Sequence, residues 1–230
     1  LTAEAFNLAE RFQIPVIVLT DKEIIESHET VEMFDVSKVD IIRGSLIREW
    51  DGDEYLRYRF TKDGVSPRAI PGTPKALILS NSNEHTERGF GTSVSEAARL
   101  MVDKRFRKEK HIRRATGKLS PIKFYGPDDP DITLVGWGST KGPALEAIRL
   151  LSEQEVKTRY VQVRIMEPFP DGLMDYLSGE TMLLENNRTA ALGTLIKLNT
   201  GYNFDNVGLR YDGRPLTPDE IVFKVKEVLR

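Results

Sequence analysis

A glycine-rich stretch, GWGSTKG at residues 136–142, is the feature of this sequence that most resembles a phosphate-binding turn. It follows an apolar run and precedes a helical pattern, and such a turn can present backbone N–H groups to an anion. The spacing misses the dinucleotide fingerprint by one residue, and Lys141 precedes Gly142 instead of following it as in a P-loop. We therefore favour a tight turn over nucleotide binding, and keep Gly136 and Gly138 as candidate ligand or interface residues.

Glu185 and Asn186 end a second apolar run, TMLLENN. Open α/β sheets bind ligands and partners outside the carboxyl ends of their strands, so this pair is a candidate ligand or interface site. The alternative, in which Asn187 only caps the next helix, stays open.

The stretch DGVSPRAIPG, residues 63–72, combines an anion and a cation with two prolines and two glycines. Proline fixes φ and removes a donor while glycine permits positive φ, so the stretch predicts a stiff loop. Asp63, Ser66, Pro67 and Arg68 are its candidate site residues. Either the loop holds Arg68 ready for an anionic ligand, or Arg68 and Asp63 pair and pin the loop. Both interpretations stand.

A basic run, KRFRKEKHIRR at residues 104–114, carries seven Lys or Arg and one Glu. Nucleic-acid binding is one interpretation of such a run. Phe106 is the single aromatic residue in it, however, and the formal net charge of the chain is −2. We therefore favour a solvated face or a subunit contact.

No residue pattern predicts a self-contained active site. His85 and His111 lie 26 positions apart, and the sequence has no cysteine. Zinc ligands usually come as closely spaced Cys and His, so metal ligation is not expected. The absence of cysteine also excludes disulfides, a thiol nucleophile and a cysteine-ligated iron–sulfur cluster. We expect no catalytic residue and no metal ligand in this chain.

The composition is that of an ordinary globular protein, with 40% hydrophobic and 30% charged residues in 230. No apolar run approaches the roughly 20 residues that span a bilayer. We expect a cytoplasmic protein that binds neither nucleic acid nor membrane.

The elements before residue 125 are predicted as follows. The first 12 residues have a helical pattern, IPVIVLT at 14–20 reads as a buried strand, and Thr20-x-x-Glu23 is a capping box that opens a helix to about His28. A single parallel strand is not stable without a neighbouring strand. We therefore expect that a preceding part of the same domain, or a partner chain, completes this helix–strand–helix segment. Short strands are expected in VDIIRG, YLRYRFT and KALILS, followed by one long helix from a capping box at Ser93 to about Arg114.

Four strand–helix repeats follow the linker YGPDDPD at residues 125–131. This alternation predicts an α/β fold with an open, mainly parallel sheet between two helical layers. Thr217, Pro218 and Glu220 predict the start of the last helix.

Several stretches together resemble the α subunit of 2-oxoacid:ferredoxin oxidoreductases, the pyruvate and 2-oxoglutarate ferredoxin oxidoreductase family. In order, they are AFNLAERFQIPVIVLTDKEI, DGVSPRAIPGT, NEHTERG with MVDKRFRK, ITLVGWGSTKGPALEAI, EPFP and LLENN. The resemblance covers essentially the whole chain and matches the C-terminal part of that subunit. It implies three domains: residues 1–30 end a domain that binds the pyrimidine ring of thiamine diphosphate, 31–124 connect, and 125–230 resemble the C-terminal domain of transketolases.

The resemblance implies oxidative decarboxylation of a 2-oxoacid with coenzyme A, with electrons passed to ferredoxin. It also implies that thiamine diphosphate, Mg²⁺ and the iron–sulfur cluster are held mainly by a partner β subunit, and that this chain alone binds none of them. Partners would be the β subunit, with ferredoxin and coenzyme A through the complex, in a homo- or hetero-oligomer. The SPRAIPG loop would line the substrate or coenzyme A entrance. One departure is RTAALGTL, where relatives carry Gly-Gln-Leu after Glu-Asn.

Overall fold

The computed structural model describes residues 1–230, which form two compact units. Unit 1 comprises Leu1–Val18 and Val31–Ala115, and unit 2 comprises Leu19–Thr30 and Thr116–Arg230. These boundaries differ from those of the three predicted domains, which stay a prediction. No helix of the structure has the length and apolar character needed to cross a membrane.

Unit 2 is built on a five-stranded sheet. Its strands are β3 (Ile122–Tyr125), β4 (Ile132–Gly136), β5 (Thr158–Val163), β6 (Glu180–Glu185) and β7 (Asn206–Leu209). Their order in the sheet is β3-β5-β4-β6-β7. The helices of unit 2 are α2 (Lys22–Glu26), α5 (Lys141–Ser152), α6 (Ala191–Thr200) and α7 (Pro218–Val228). The other elements, α1, α3, α4, β1 and β2, begin in unit 1. Only the β3–β5 pair is antiparallel, and the other three pairs are parallel.

Two apolar layers enclose this sheet. One core cluster joins Leu134 of β4 to Ala147 of α5 and Ile221 of α7, and the other joins Val135 of β4 to Ile196 of α6. Every residue of β4 is buried, as expected for a central parallel strand covered on both faces. The predicted three-layer, mainly parallel α/β fold is confirmed.

The last helix begins as the sequence predicts. The Thr217 side chain accepts from the Glu220 N–H while the Glu220 carboxylate accepts from the Thr217 N–H, with Pro218 at the first helical position. The sheet also contains β3, which was not predicted. Two of its four residues are exposed, so this edge strand lacks the apolar run that marks a buried one.

Unit 1 contains little regular structure. Its helices are α1 (Thr2–Phe12), α3 (Ser95–Phe106) and α4 (Glu109–Gly117), of which α4 ends in unit 2, and its strands are β1 (Leu46–Ile47) and β2 (Arg68–Ala69), paired in parallel. A small apolar cluster around Tyr55, Ala69 and Ala76 forms its core. The remaining segments are fixed mainly by side-chain hydrogen bonds.

Several predicted strands are absent. Residues 14–20 form neither helix nor strand, because no neighbouring strand offers a ladder, and Ile17 is 81% exposed. The stretches VDIIRG, YLRYRFT and KALILS likewise form no strands. The capping box at Thr20 is also wrong: the helix is short, and Asp21 caps it by accepting from the Ile24 N–H.

The predicted long helix is two helices, and the predicted cap at Ser93 is not formed. Val94 precedes α3 without a side-chain cap, and α3 ends at Phe106. Near that end Gly64 packs so closely that a Cβ there would clash with the Lys104 carbonyl oxygen. The side chains of Arg107 and Lys108 turn to the carbonyl oxygens of Thr61 and Gln13, 3.2 Å away in each case. These contacts accompany the break between α3 and α4.

Candidate functional site

The loop at residues 63–68 begins in a turn closed by its own first residue. Asp63 Oδ1 accepts from the Val65 N–H at 3.0 Å, and Gly64 between them has a φ of +79°. Burial raises the pKa of Asp63, but the Val65 N–H, further hydrogen bonds and the charge of His111 outweigh burial and hold that pKa below its usual range. Asp63 is therefore a charged structural acceptor.

The far end of the loop is fixed by one buried tyrosine. The Tyr55 hydroxyl donates to the Pro67 carbonyl oxygen at 3.0 Å and accepts from the Ala69 N–H at 2.8 Å. Both bonds hold the backbone on either side of Arg68. The loop therefore presents Arg68 from a fixed main chain.

Ser66 is held at both its side chain and its carbonyl. The Lys104 ammonium donates to Ser66 Oγ at 2.6 Å and to the Tyr58 carbonyl oxygen at 2.8 Å. Gln13 Nε2 donates to the Ser66 carbonyl oxygen at 2.5 Å, and Gln13 Oε1 accepts from Arg57 at 3.0 Å. This network joins the end of α1, the loop and α3.

Lys104 is the centre of that network and is only 5% exposed. Burial, followed by the positive charges of Lys108 and Arg57, lowers its pKa to about 8. The interpretation of residues 104–114 as a solvated face is therefore wrong at Lys104, because its ammonium points into unit 1.

Arg68 forms an ion pair with a carboxylate, but not with that of Asp63, the predicted partner. Its guanidinium pairs with Glu10 of α1, and Arg43 Nε lies 3.4 Å from the same Glu10 oxygen. The proposed Arg68–Asp63 pair is wrong, because Asp63 turns back to the Val65 N–H. Arg68 thus already holds one anion in a cluster of two guanidinium groups and one carboxylate.

The sequence did not reveal Glu10, Gln13 or Tyr55 as members of this site. Their partners lie far along the chain, 58 residues away for Glu10 and 53 for Gln13, and no local pattern marks such contacts. Lys104 had one signal. It follows Met101, the other buried residue of α3, by three positions, and residues spaced by three share a helix face.

Gly136 and Gly138 lie in a tight turn between β4 and α5. The turn is a 3₁₀ helix at Gly138–Thr140, and Gly138 has a φ of +58°. The Asp21 carboxylate occupies the position that a bound phosphate would take in this turn. Its Oδ2 accepts from the Ser139 N–H at 3.0 Å and from the Ser139 hydroxyl at 2.5 Å. This geometry supports the tight-turn interpretation, since a carboxylate of the chain itself takes the donors that a phosphate would need.

We expect Gly136→Ala to destabilise unit 2 by about 1–3 kcal/mol, the usual cost of overpacking. A Cβ at this position would lie 2.5 Å from Thr140 Oγ1 and 3.0 Å from the Leu184 carbonyl oxygen. Gly142 is the matched control in the same motif, because a Cβ there meets nothing within 4 Å. Gly142→Ala should stabilise by about 0.4–1 kcal/mol. Urea denaturation measures both, and equal effects would contradict the crowding argument.

Asn186 and Glu185 lie at the carboxyl end of β6, next to the end of β4. Chain connections leave β4 and β6 in opposite directions, so this edge is the switch point of the sheet. Asn186 Nδ2 donates to Ser139 Oγ at 2.9 Å, and Asn186 Oδ1 accepts from the Leu216 N–H at 3.2 Å. The crevice is thus occupied by contacts within unit 2.

Glu185 is completely buried and hydrogen-bonded by four internal donors. Its carboxylate accepts from the N–H groups of Leu192 (3.1 Å) and Gly193 (3.2 Å), from Asn187 Nδ2 (2.7 Å) and from Trp137 Nε1 (3.3 Å). Asn187 Oδ1 in turn accepts from the Ala191 N–H at 3.3 Å. The N-cap residue of α6 is Ala190, not Asn187, and it makes no side-chain cap bond; instead Glu185 and Asn187 together satisfy the first N–H groups of α6, which argues against a ligand site at Glu185.

The two histidines that the sequence singled out lie in different surroundings. His85 stacks on Tyr58, with ring centroids 3.7 Å apart, and His111 lines a cavity beside Asp63. No group of three or more His, Asp or Glu in the structure could hold a metal ion.

Comparisons with known proteins agree with the resemblance. A family model described as "Pyruvate flavodoxin/ferredoxin oxidoreductase, thiamine diP-bdg" matches residues 1–104. The chain is 36% identical to 2-oxoacid:ferredoxin oxidoreductase 2, subunit alpha, of Aeropyrum pernix, over 98% of this chain and 36% of the relative. It is 32% identical to the corresponding alpha subunit of Saccharolobus solfataricus, over the same shares.

A solved structure matches as well. The structure of 2-oxoglutarate:ferredoxin oxidoreductase from Magnetococcus marinus, with 2-oxoglutarate, coenzyme A and succinyl-CoA bound, has a TM-score of 0.82 and 30% identity. The match covers 97% of this chain and 39% of that one. The predicted resemblance is confirmed: over nearly its whole length the chain is a relative of 2-oxoacid:ferredoxin oxidoreductase α subunits. It spans about 36% of the length of these curated relatives.

Proposed function

We propose that this chain is the C-terminal part of the α subunit of a thiamine-diphosphate-dependent 2-oxoacid:ferredoxin oxidoreductase. Its part in the enzyme is to shape the entrance for the 2-oxoacid or coenzyme A and to support assembly. The observation that carries the proposal is the similarity to such α subunits along 98% of the chain. The fixed loop with Arg68 supports the assignment of the entrance.

The proposed overall reaction consumes a 2-oxoacid, coenzyme A and two oxidised ferredoxins. Its products are the acyl-CoA, carbon dioxide, two reduced ferredoxins and a proton. The bond between the carboxylate carbon and the keto carbon breaks, a thioester bond forms, and the two electrons released leave on ferredoxin. Thiamine diphosphate supplies the carbanion chemistry, and the protein supplies orientation and charge.

Arg68 is the residue of this chain that we assign to anion recognition. The backbone of Arg68 is held by Tyr55, and the neighbouring Ser66 is held by Lys104 and Gln13. The Arg68 guanidinium already pairs with the Glu10 carboxylate. A charged group held in place before the ligand arrives loses little entropy on binding. A substrate carboxylate or a coenzyme A phosphate would take donors of Arg68 beside Glu10 or in its place.

We infer that the diphosphate and its metal are held by another chain of the enzyme. The turn after β4 is filled by the Asp21 carboxylate, and the structure contains no cluster of ligating side chains. In our proposal the partner β subunit therefore holds thiamine diphosphate, Mg²⁺ and the iron–sulfur cluster. The same filled turn argues against the alternative of a nucleotide-binding oxidoreductase using GWGSTKG.

The chain also displays apolar side chains that suit an assembly role. Met33 is 96% exposed, and Phe34 and Ile17 are each 81% exposed. Met33 and Phe34 adjoin in the sequence, and exposed apolar patches usually mark an interaction surface. We propose contacts with a β subunit and a homo- or hetero-oligomeric enzyme in the cytoplasm, with ferredoxin and coenzyme A reached through the complex.

Arg68→Ala in the assembled enzyme tests the proposal. A hydrogen bond to a charged group is worth about 1.5–3 kcal/mol, so kcat/KM for the 2-oxoacid or for coenzyme A should fall roughly 10- to 100-fold. Steady-state reduction of ferredoxin, with each substrate varied in turn, measures which ligand Arg68 contacts. Failure of the intact enzyme to reduce ferredoxin with any 2-oxoacid would refute the proposed function.

Glu10→Gln separates recognition from structure. If Arg68 serves only as the partner of Glu10, Glu10→Gln and Arg68→Ala should lower thermal stability alike and leave the kinetics unchanged. If Arg68 binds substrate, only Arg68→Ala should depress kcat/KM. Arg88→Ala is the matched control, because Arg88 also pairs with a glutamate, Glu54, but is exposed and lies outside the loop.

A further inference from the structure

Unit 1 contains a cavity of about 510 Å³ between the end of α1, residues 41–45, the Asp63–Val65 turn and His111. We propose that this cavity is a binding site for the phosphate end of an organic phosphate. Arg11, Arg43 and His111 would hold the phosphate, and the apolar floor would contact the body of the ligand.

The walls of the cavity are fixed by specific contacts. Asn7 of α1 donates to the Asp40 carbonyl oxygen at 2.7 Å and accepts from the Ile42 N–H at 2.8 Å. Gly44, with a φ of +63°, packs so tightly on the Glu10 carbonyl oxygen that no Cβ would fit. The segment at residues 40–45 is therefore attached to α1 although it is neither helix nor strand.

The cationic side chains around this cavity have N–H groups that are available to donate to a ligand. Arg11 is exposed and makes no ion pair in the structure; its guanidinium lies 5.2 Å from the Phe12 ring centroid. Arg43 pairs with Glu10 through Nε at 3.4 Å, so its other guanidinium nitrogens can donate to a ligand. The half-buried His111 ring adds a third donor. Asp63, the one carboxylate in the lining, already accepts from the Val65 N–H.

The ligand class follows from this donor set. Two guanidinium groups carry two positive charges, which a phosphate, with three oxygens and up to two negative charges, matches better than a carboxylate with one negative charge. Phe12 and Val65, 3% and 5% exposed, supply an apolar floor of the kind found in small-molecule sites. The volume accommodates a ligand larger than free phosphate. Coenzyme A and simple polyphosphates share the required chemistry.

The test is isothermal titration of the chain with inorganic pyrophosphate, coenzyme A and dephospho-coenzyme A. We expect binding of pyrophosphate and coenzyme A, weakened about tenfold in Arg11→Ala and in Arg43→Ala, as for loss of one charge-assisted hydrogen bond. Arg43→Lys should restore part of the affinity, because the charge remains. Arg88→Ala is the matched control and should bind as the unaltered chain does. Melting curves confirm that each variant is folded.

The probes distinguish the two sources. Tighter binding of coenzyme A than of dephospho-coenzyme A would identify the 3′-phosphate of coenzyme A as the bound group. Equal binding of all three would identify a diphosphate. No binding of any probe, or affinities unchanged in both folded arginine variants, would overturn the proposal. Because the measurement requires no turnover, it remains informative whether or not the enzyme reduces ferredoxin.

Discussion

Glu185→Ala is expected to lower the free energy of unfolding of unit 2 by about 3–5 kcal/mol. The buried carboxylate accepts from the N–H groups of Leu192 and Gly193, from Asn187 and from Trp137. A buried donor left without an acceptor costs about 1–3 kcal/mol on its own, and losses within one hydrogen-bond network add less than fully. Chemical denaturation followed by circular dichroism would measure the loss.

Two variants make this expectation specific. Glu180→Ala changes a glutamate at the exposed start of the same strand and should alter stability by no more than about 0.5 kcal/mol. Glu185→Gln keeps one acceptor oxygen and most of the volume, so it should fall between the two. If Glu185→Ala proved as mild as Glu180→Ala, the four donors would have other partners, and the anchoring role of Glu185 would be wrong.

The sheet of unit 2 could be predicted because its signals are local. A central strand such as β4 is a continuous apolar run, and its neighbours follow it after helices with recognisable caps, such as Thr217 and Glu220. Parallel strands joined by helices then leave few topologies to consider. The edge strand β3 lacked such a run and was missed.

Unit 1 could not be predicted in the same way, because distant contacts determine its structure. Apolar runs such as residues 14–20 resemble strands, but a run becomes a strand only when a neighbour supplies a ladder. The prolines and glycines correctly indicated a mostly irregular stretch at residues 63–72, but they did not reveal the two-residue strand β2 inside it. Its fixing residues Gln13 and Lys104 were not, because their partner Ser66 lies 53 and 38 residues away.

For the candidate site residues too, local conformation could be predicted from the sequence but distant contacts could not. The conformation of the glycine turn at Gly136 and Gly138 could be predicted, while its occupant, Asp21, lies 118 residues from Ser139. Charge type alone suggested a partner for Arg68, and the nearest acid in the sequence was the wrong one. Local sequence thus predicts which groups carry charge; the fold decides which charges meet.

Lys104→Met should change the stability of unit 1 in a pH-dependent way. Burial first, and the charges of Lys108 and Arg57 second, lower the pKa of Lys104 to about 8 in the folded state, against 10.5 for an ordinary lysine. Between these values the unfolded chain binds more protons at this position than the folded chain, so the free energy of unfolding rises with pH. The stabilisation is complete above about pH 10.5 and lost as the pH falls to about 8.

Methionine keeps most of the volume of the side chain but cannot titrate, so the variant loses this rise. The stability difference between the unaltered chain and Lys104→Met should therefore grow by roughly 2–3 kcal/mol between pH 7 and pH 10.5, since one pKa unit corresponds to about 1.4 kcal/mol. Lys110→Met, at an exposed position, is the matched control and should show no comparable growth. Taking differences between variants cancels the other groups that titrate in this range. A difference that stays constant with pH would mean that the Lys104 ammonium is not buried as the contacts with Ser66 and Tyr58 require.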